Sequence, residues 1–417
     1  MWPGWSATLA VLRLGDAGAA VGSVAPGTAL PLFIDYVQLT SATTAQRFHS
    51  LPLPPRPVVD DVAGAYTPGC TLAAGRDDAE RWHFETEGFP SNSQDRAFGL
   101  VPCYDVAVGT ALSGSSRKTI ARVDRTAAVD TSASGFISQV VSEAPGANNG
   151  WRQVASPDGA RFYTASVALL DAGYRYISDV GATDATGSFV SVPAFGSRVA
   201  GARDARGVAL YGGRLWAAAG PADAGWNTLW QIGGAAAPTA PTTAYTKLAG
   251  LPAAGLGSVW TFTFGNSTNA VWAAVERSYA PRGVAQLWQR AASTRPYALA
   301  LVVTFDPTAP LYVLTSRTEF RRTVLYGTSL GGLFRYDTAG VATGVRSATR
   351  LLSADAGTQY RGVMFAGAPV TTPSSSGTPS ASVSPSGTPS RSRSRVSRSR
   401  SRSRTPSKTR ARKAHKQ

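Results

Sequence analysis

Short runs in which apolar and polar side chains alternate recur along the chain, each ending at Gly, Pro, Asp or Asn. Early examples are Leu9-Ala10-Val11-Leu12-Arg13-Leu14, Leu32-Phe33-Ile34-Asp35-Tyr36-Val37 and Thr119-Ile120-Ala121-Arg122-Val123-Asp124. Arg161-Phe162-Tyr163-Thr164-Ala165, Tyr174-Arg175-Tyr176-Ile177 and Ser258-Val259-Trp260-Thr261-Phe262-Thr263-Phe264 follow. Brief runs with a two-residue period, rich in aromatic and β-branched residues, fit strands, whose successive side chains point to opposite faces. No helix-length stripe at the 3.6-residue period accompanies them. The pattern predicts an all-β chain.

The runs also repeat as sets. Trp151-Arg152-Gln153-Val154 leads through Ser156-Pro157-Asp158-Gly159 to Arg161-Phe162-Tyr163, and Arg206-Gly207-Val208-Ala209 leads through Gly212-Gly213 to Arg214-Leu215-Trp216 and then Thr228-Leu229-Trp230. Val271-Trp272-Ala273-Ala274 with Ala285-Gln286-Leu287-Trp288, and Val324-Leu325-Tyr326-Gly327 with Gly332-Leu333-Phe334-Arg335-Tyr336-Asp337, continue the series. A period of about 50–60 residues suits a four-stranded antiparallel blade, so the body reads as a β-propeller of about six to seven blades. Trp and Tyr of the second and third strands would then fill the space between blades. A pair of two-sheet sandwiches is the competing architecture. Closure favours the propeller: Tyr360-Arg361-Gly362-Val363 repeats the opening strand of the Arg206-Gly207-Val208 set but has no partner after it, while Ala7 to Leu14 reads as a second strand lacking a first. Pairing the two termini would complete one blade and remove exposed edges.

Composition agrees with this picture and divides the chain. Gly (43) and Pro (27) are frequent among 417 residues, and only 16% are charged, which fits many turns and few amphipathic helices. The net charge of +16 is unevenly placed: from Arg391 to Lys416 there are twelve Lys/Arg and no acid, leaving 29 basic against 25 acidic residues elsewhere. The expected domains are therefore a propeller over residues 1–368, a Ser/Thr/Pro-rich linker over 369–390, and a basic, disordered Arg/Ser-rich tail over 391–417. Met1-Trp2-Pro3-Gly4-Trp5 lacks the basic start and apolar run of a signal peptide, and no stretch approaches the ~20 apolar residues of a membrane-spanning helix.

The body resembles a loosely defined group of predicted secreted microbial β-propeller proteins with Ser/Thr/Pro-rich tails. The likeness is carried by Arg13-Leu14-Gly15-Asp16, Leu32-Phe33-Ile34-Asp35-Tyr36, Gly69-Cys70-Thr71-Leu72, Ala121-Arg122-Val123-Asp124 with Val129-Asp130-Thr131, and Arg361-Gly362-Val363. It implies a propeller and an exported protein, and it brings no active site with it.

Candidate chemistry is sparse. Gly327-Thr328-Ser329-Leu330-Gly331 matches the nucleophile-elbow spacing, but a strand follows where a helix is required, and the only later histidine is His415; a hairpin turn is the expected reading. His83, Glu85 and Glu87 would share one strand face and could ligate a divalent cation, but a solvated outer face explains the same alternation, and no metal or cofactor is expected. Asp60-Asp61, Arg76-Asp77-Asp78 and Pro157-Asp158-Gly159 lack calcium-loop spacing and read as turn formers. Cys70 and Cys103 form one disulfide if the protein is exported, or stand as two unrelated thiols. Asn266-Ser267-Thr268 is a glycosylation sequon in an expected turn. Trp226, Trp230, Trp260 and Trp288 would be the first candidates for stacking on a sugar.

In the tail, Arg391, Arg393, Arg395, Arg398, Arg400, Arg402 and Arg404 alternate with serine as in the RS domains of splicing factors, a density able to hold a polyanion such as RNA or an acidic polysaccharide. Two readings of function follow. One is a non-catalytic binding or adhesion scaffold, secreted or at the cell surface, which presents propeller loops to a carbohydrate or protein ligand on a Ser/Thr/Pro stalk. The other is a nuclear protein whose RS tail binds RNA or splicing partners. A propeller glycosidase or lyase is a third possibility, with no carboxylates identified for it.

Overall fold

A computed structural model gives the architecture over residues 8–59, 66–73, 76–77, 82–83, 87–112, 116–135, 151–166, 173–180, 191–193, 205–219, 228–251, 258–265, 267–276, 282–319, 322–339 and 344–365, which are the residues described. The chain divides into two units, Met1–Val370 and Thr371–Gln417, and every described residue belongs to the first. Every regular element among them is a strand.

Strands β1 (Thr8–Leu14), β2 (Ala29–Leu39) and β3 (Ala45–Pro52) form an antiparallel meander. A small hairpin of β4 (Val58–Val59) and β5 (Tyr66–Thr67) follows, then β6 (Thr71–Ala73) and a second small hairpin of β7 (Arg76–Asp77) and β8 (Trp82–His83). The next set is β9 (Ser91–Asn92), β10 (Phe98–Tyr104), β11 (Lys118–Asp124) and β12 (Val129–Gly135), paired in that order. Short β6 joins this set to the first by pairing with both β2 and β10.

Two further meanders are β13 (Trp151–Ala155), β14 (Phe162–Ser166), β15 (Gly173–Ile177) and β16 (Ser191–Pro193), then β17 (Ala205–Tyr211), β18 (Arg214–Ala219), β19 (Leu229–Ile232) and β20 (Tyr245–Lys247). After them come β21 (Ser258–Phe264), β22 (Ala270–Glu276), β23 (Gly283–Gln289) and β24 (Ala298–Asp306). The next set contains β25 (Val313–Glu319), β26 (Arg322–Ser329) and β27 (Gly332–Asp337). Beyond β27, β28 (Gly344–Ser347) crosses back to run parallel to β24, and β29 (Thr349–Ser353) completes the β25–β27 set.

The last strand, β30 (Gln359–Met364), pairs with β1 as the sequence predicts: Ala10 faces Met364, Val11 faces Val363 and Leu12 faces Gly362. The leading strands β9, β13, β17, β21 and β25 lie side by side, and β30 sits between β25 and β9, so the inner strands run as a closed ring. This is a β-propeller arrangement, with each antiparallel set radiating as a blade.

Its core is divided among the spaces between blades, where Trp151, Tyr104, Phe162, Trp216, Trp272 and Tyr326 are buried. Inner strands must approach closely, and the Arg-Gly-Val repeat provides for this. A Cβ on Gly207 would lie 2.8 Å from the Trp260 carbonyl oxygen, and one on Gly362 would lie 2.3 Å from Pro90 Cδ. Closure is also tied by polar groups. Arg13 Nε lies 2.7 Å from an Asp35 oxygen, and Arg47 Nη1 spans Asp35 at 3.2 Å and Asp355 at 2.8 Å. The Asn92 side chain donates to the Phe365 carbonyl at 2.8 Å and accepts from its N–H at 2.7 Å, joining the end of β30 to β9.

Candidate ligand groove

Tight turns bring a concavity together between two blades. Gly212 and Gly213 take φ of +60° and +73°, the left-handed pair that a two-residue hairpin between β17 and β18 requires. That turn presents Tyr211 and Arg214 at the same end of the blades as the β21–β22 turn and the β23–β24 loop. Between these segments and the end of β20 lies a cavity of about 730 Å³, a volume within the roughly 300–1,000 Å³ usual for ligand sites. Tyr211, Arg214, Gln231, Thr246, Lys247, Thr268, Arg290, Ser293, Thr294 and Arg295 contribute to its wall.

Its floor is anchored. Tyr297 donates its hydroxyl to the Thr268 carbonyl and its N–H to Ala249 O at 2.8 Å, so the β20–β21 and β23–β24 loops hold together. Gly250, at φ +89°, permits that approach, since a Cβ there would fall 2.1 Å from the Tyr297 carbonyl oxygen. Arg290 lies 4.7 Å from the Tyr297 ring centre, donates Nε–H to Asn269 Oδ1 at 3.1 Å and Nη1–H to Ser293 O at 2.9 Å. Burial pushes the Tyr297 hydroxyl above its ordinary pKa, with the Arg290 cation pulling the other way. Arg214 Nη1 donates to Gln231 Oε1 at 3.3 Å. Arg214, Lys247 and Arg295 are exposed, Arg290 is half-buried, and no carboxylate is among the described wall residues.

Residues singled out by the sequence lie elsewhere. Cys70 and Cys103 are both buried and joined as a disulfide with Cα atoms 5.2 Å apart. Asn266, Trp226, Glu85 and the arginines Arg391, Arg393, Arg395, Arg398, Arg400, Arg402 and Arg404 fall outside the described residues. Glu87 corrects the reading of a solvated strand face. Gly88 turns at φ +74°, so Glu87 belongs to the entry into β9; it is 2% exposed and accepts from the Tyr104 hydroxyl at 2.6 Å.

Trp230, Trp260 and Trp288 are buried and closed to an external sugar: Trp230 packs on Tyr245, Trp260 on Phe89 and Tyr312, and Trp288 bonds Gln286. Ser329 closes the β26–β27 hairpin opposite Gly332 and donates to Asp306 at 2.7 Å, as a turn residue would. Asp158 Oδ1 accepts from the N–H groups of Ala160 and Arg161, both at 3.0 Å, again as a turn former.

The groove cations escaped the sequence reading because they were averaged with the whole body. A local charge window finds three of the four: from residue 224 to 305 Glu276 is the only acid, and Lys247, Arg290 and Arg295 are among five cations there, while Arg214 lies outside that stretch.

No family model matches the chain. No curated protein matches it in sequence. Among solved structures it is similar to a chain of a nidogen/laminin complex, at 10% identity and a TM-score of 0.44 over 87% of this chain and 99% of that one. The periplasmic gluconolactonase PpgL of Pseudomonas aeruginosa aligns at 10% identity and a TM-score of 0.40, over 83% of each chain. The β-propeller domain of Cps50 (Swd1) from Myceliophteria thermophila aligns at 10% identity and a TM-score of 0.38, over 80% of this chain and 92% of that one.

Proposed function

We propose that this protein is a non-catalytic binding scaffold of the cell exterior, whose propeller seats a ligand in the groove between the β17–β20 and β21–β24 blades. The groove is the observation that carries the reading: it has a ligand-sized volume, walls from several separate segments, and a floor fixed by Tyr297 and Arg290. Its described wall offers cations, hydroxyls and amides, which bind. Glycoside hydrolysis would call for two carboxylates flanking the bond. Export is supported by the Cys70–Cys103 disulfide, a bond that persists in oxidising compartments.

The exposed Thr246 allows a direct test. In the full-length protein Thr246→Trp places an indole in the groove mouth without touching the core. Binding to arrays of glycans and peptides should fall at least about tenfold in this variant, with an unchanged melting temperature. Ligand capture that survives the plug would remove the groove from the reading. Thiol titration of the protein taken from its native source should find no free thiol, and two free thiols would count against export.

A further inference from the structure

Resting on the groove as the ligand seat, we propose that the ligand is an acidic polysaccharide, its carboxylates or sulfates held by Arg214, Lys247, Arg290 and Arg295. These four cations come from the start of β18, the end of β20 and the β23–β24 loop, so only the folded blades assemble them. The field they make is of one sign. Outside the Arg391–Lys416 run the chain carries 29 basic against 25 acidic residues, an excess of four. Residues 224–305 carry five against one, again an excess of four, so the rest of the body balances. Three of those five, Lys247, Arg290 and Arg295, line the groove, Arg214 joins them from β18, no acid is among the described wall residues, and such a concavity concentrates anions.

The kind of anion follows from the other wall groups. Thr246, Thr268, Ser293 and Thr294 line the same space and match the ring hydroxyls of a sugar chain. Arg290 is already fixed by its bonds to Asn269 and Ser293, which lowers the entropy lost when it grips a carboxylate or sulfate. Single-stranded nucleic acid favours a series of open aromatic faces. Here the Tyr211 ring is engaged by Phe264 at 4.7 Å, and Trp216, though it lines the cavity, is 3% exposed and packs on the same Phe264.

The test uses the full chain and isothermal titration with three probes: a heparin-derived hexasaccharide, maltohexaose as its neutral counterpart, and a DNA hexanucleotide. Because the tail is itself cationic, two variants separate its contribution. Arg214→Glu with Arg295→Glu reverses two exposed groove charges, while a second variant replaces Arg398, Arg400, Arg402 and Arg404 by Ala. The expected result is tight heparin hexasaccharide binding that weakens by about tenfold or more in the groove variant, persists in the tail variant, and falls with added salt.

Heparin binding lost only in the tail variant would overturn the proposal. Preference for the hexanucleotide at the groove would overturn it in favour of nucleic acid. Maltohexaose binding that Thr246→Trp blocks and charge reversal spares would overturn the acidic-ligand proposal while leaving the groove as the binding seat. Binding of every probe indifferent to both Thr246→Trp and the charge reversal would remove proposal and seat together.

Discussion

Lys118 shows how one side chain can set the pH response of a β-rich interior. It is fully buried, its ammonium lies 4.3 Å from the Tyr104 ring centre, and its Nζ has no hydrogen-bond acceptor among the described residues. Burial lowers its pKa from 10.5 to about 8, with the nearby Glu87 carboxylate opposing the shift. Below about pH 8 both folded and unfolded chains keep the proton, so folding bears the whole cost of burying the cation. Between about 8 and 10 the folded chain releases that proton first, and this contribution makes stability rise with pH before the tyrosines, at their ordinary 10.0, ionise in the unfolded chain. Lys118→Met should stabilise the protein at pH 7 by about 1–3 kcal/mol. The advantage should shrink as pH rises toward 10. Melting temperatures of both proteins across that range check it, and a gap independent of pH would refute the account. None of this is legible in the sequence, where Lys118 merely precedes the alternating run from Thr119 and gives no sign of its depth.

Strands were the most legible feature, because each run of alternating side chains carries its own two-residue period. β1, β11, β14, β15 and β21 fall where those runs lie. Glu87 was misread for the same reason in reverse: extending the alternation of His83 and Glu85 to Glu87 put it on a solvated face, whereas it immediately precedes the turn at Gly88 and is buried against Tyr104. The β6 junction was invisible, since three residues have no period to detect. Its single pair with β10, Thr71 opposite Tyr104, is a weak ladder, and the adjoining Cys70–Cys103 bond crosses the same seam. With a sequence separation of 33, the bond should restrict the unfolded chain by about 3–4 kcal/mol. Replacing both cysteines by alanine should therefore lower the urea midpoint, and reduction of the wild type should lower it in the same direction. A reduced wild type as stable as the oxidised protein would show that the β6 seam needs no staple.

At the scale of the molecule the decisive element is β30, because it supplies the inner strand that β1 lacks. The sequence made this readable through the repeat of Arg206-Gly207-Val208 in Arg361-Gly362-Val363, whereas the groove needed the fold, since its cations lie in separate turns with no motif joining them. Closure joins residues about as far apart in the chain as the body allows, and bringing such ends together costs loop entropy before any contact is gained. The contacts that repay it are the five pairs from Ala10–Met364 to Leu14–Gln359, the Arg47 bridge to Asp355 and the Asn92 clasp on Phe365. Ending the chain at Val370 leaves all of these in place, and the cooperative melt should match that of the full-length protein. Ending it at Gly357 removes β30 and exposes the edge of β1; the transition should broaden and the protein should associate through that edge. A synthetic peptide spanning residues 357–370 should add the missing strand in trans and restore the sharp transition. If the protein ending at Gly357 melts as sharply as the one ending at Val370, the ring is held by its blades alone and the terminal strand is an ornament of the fold, not its closure.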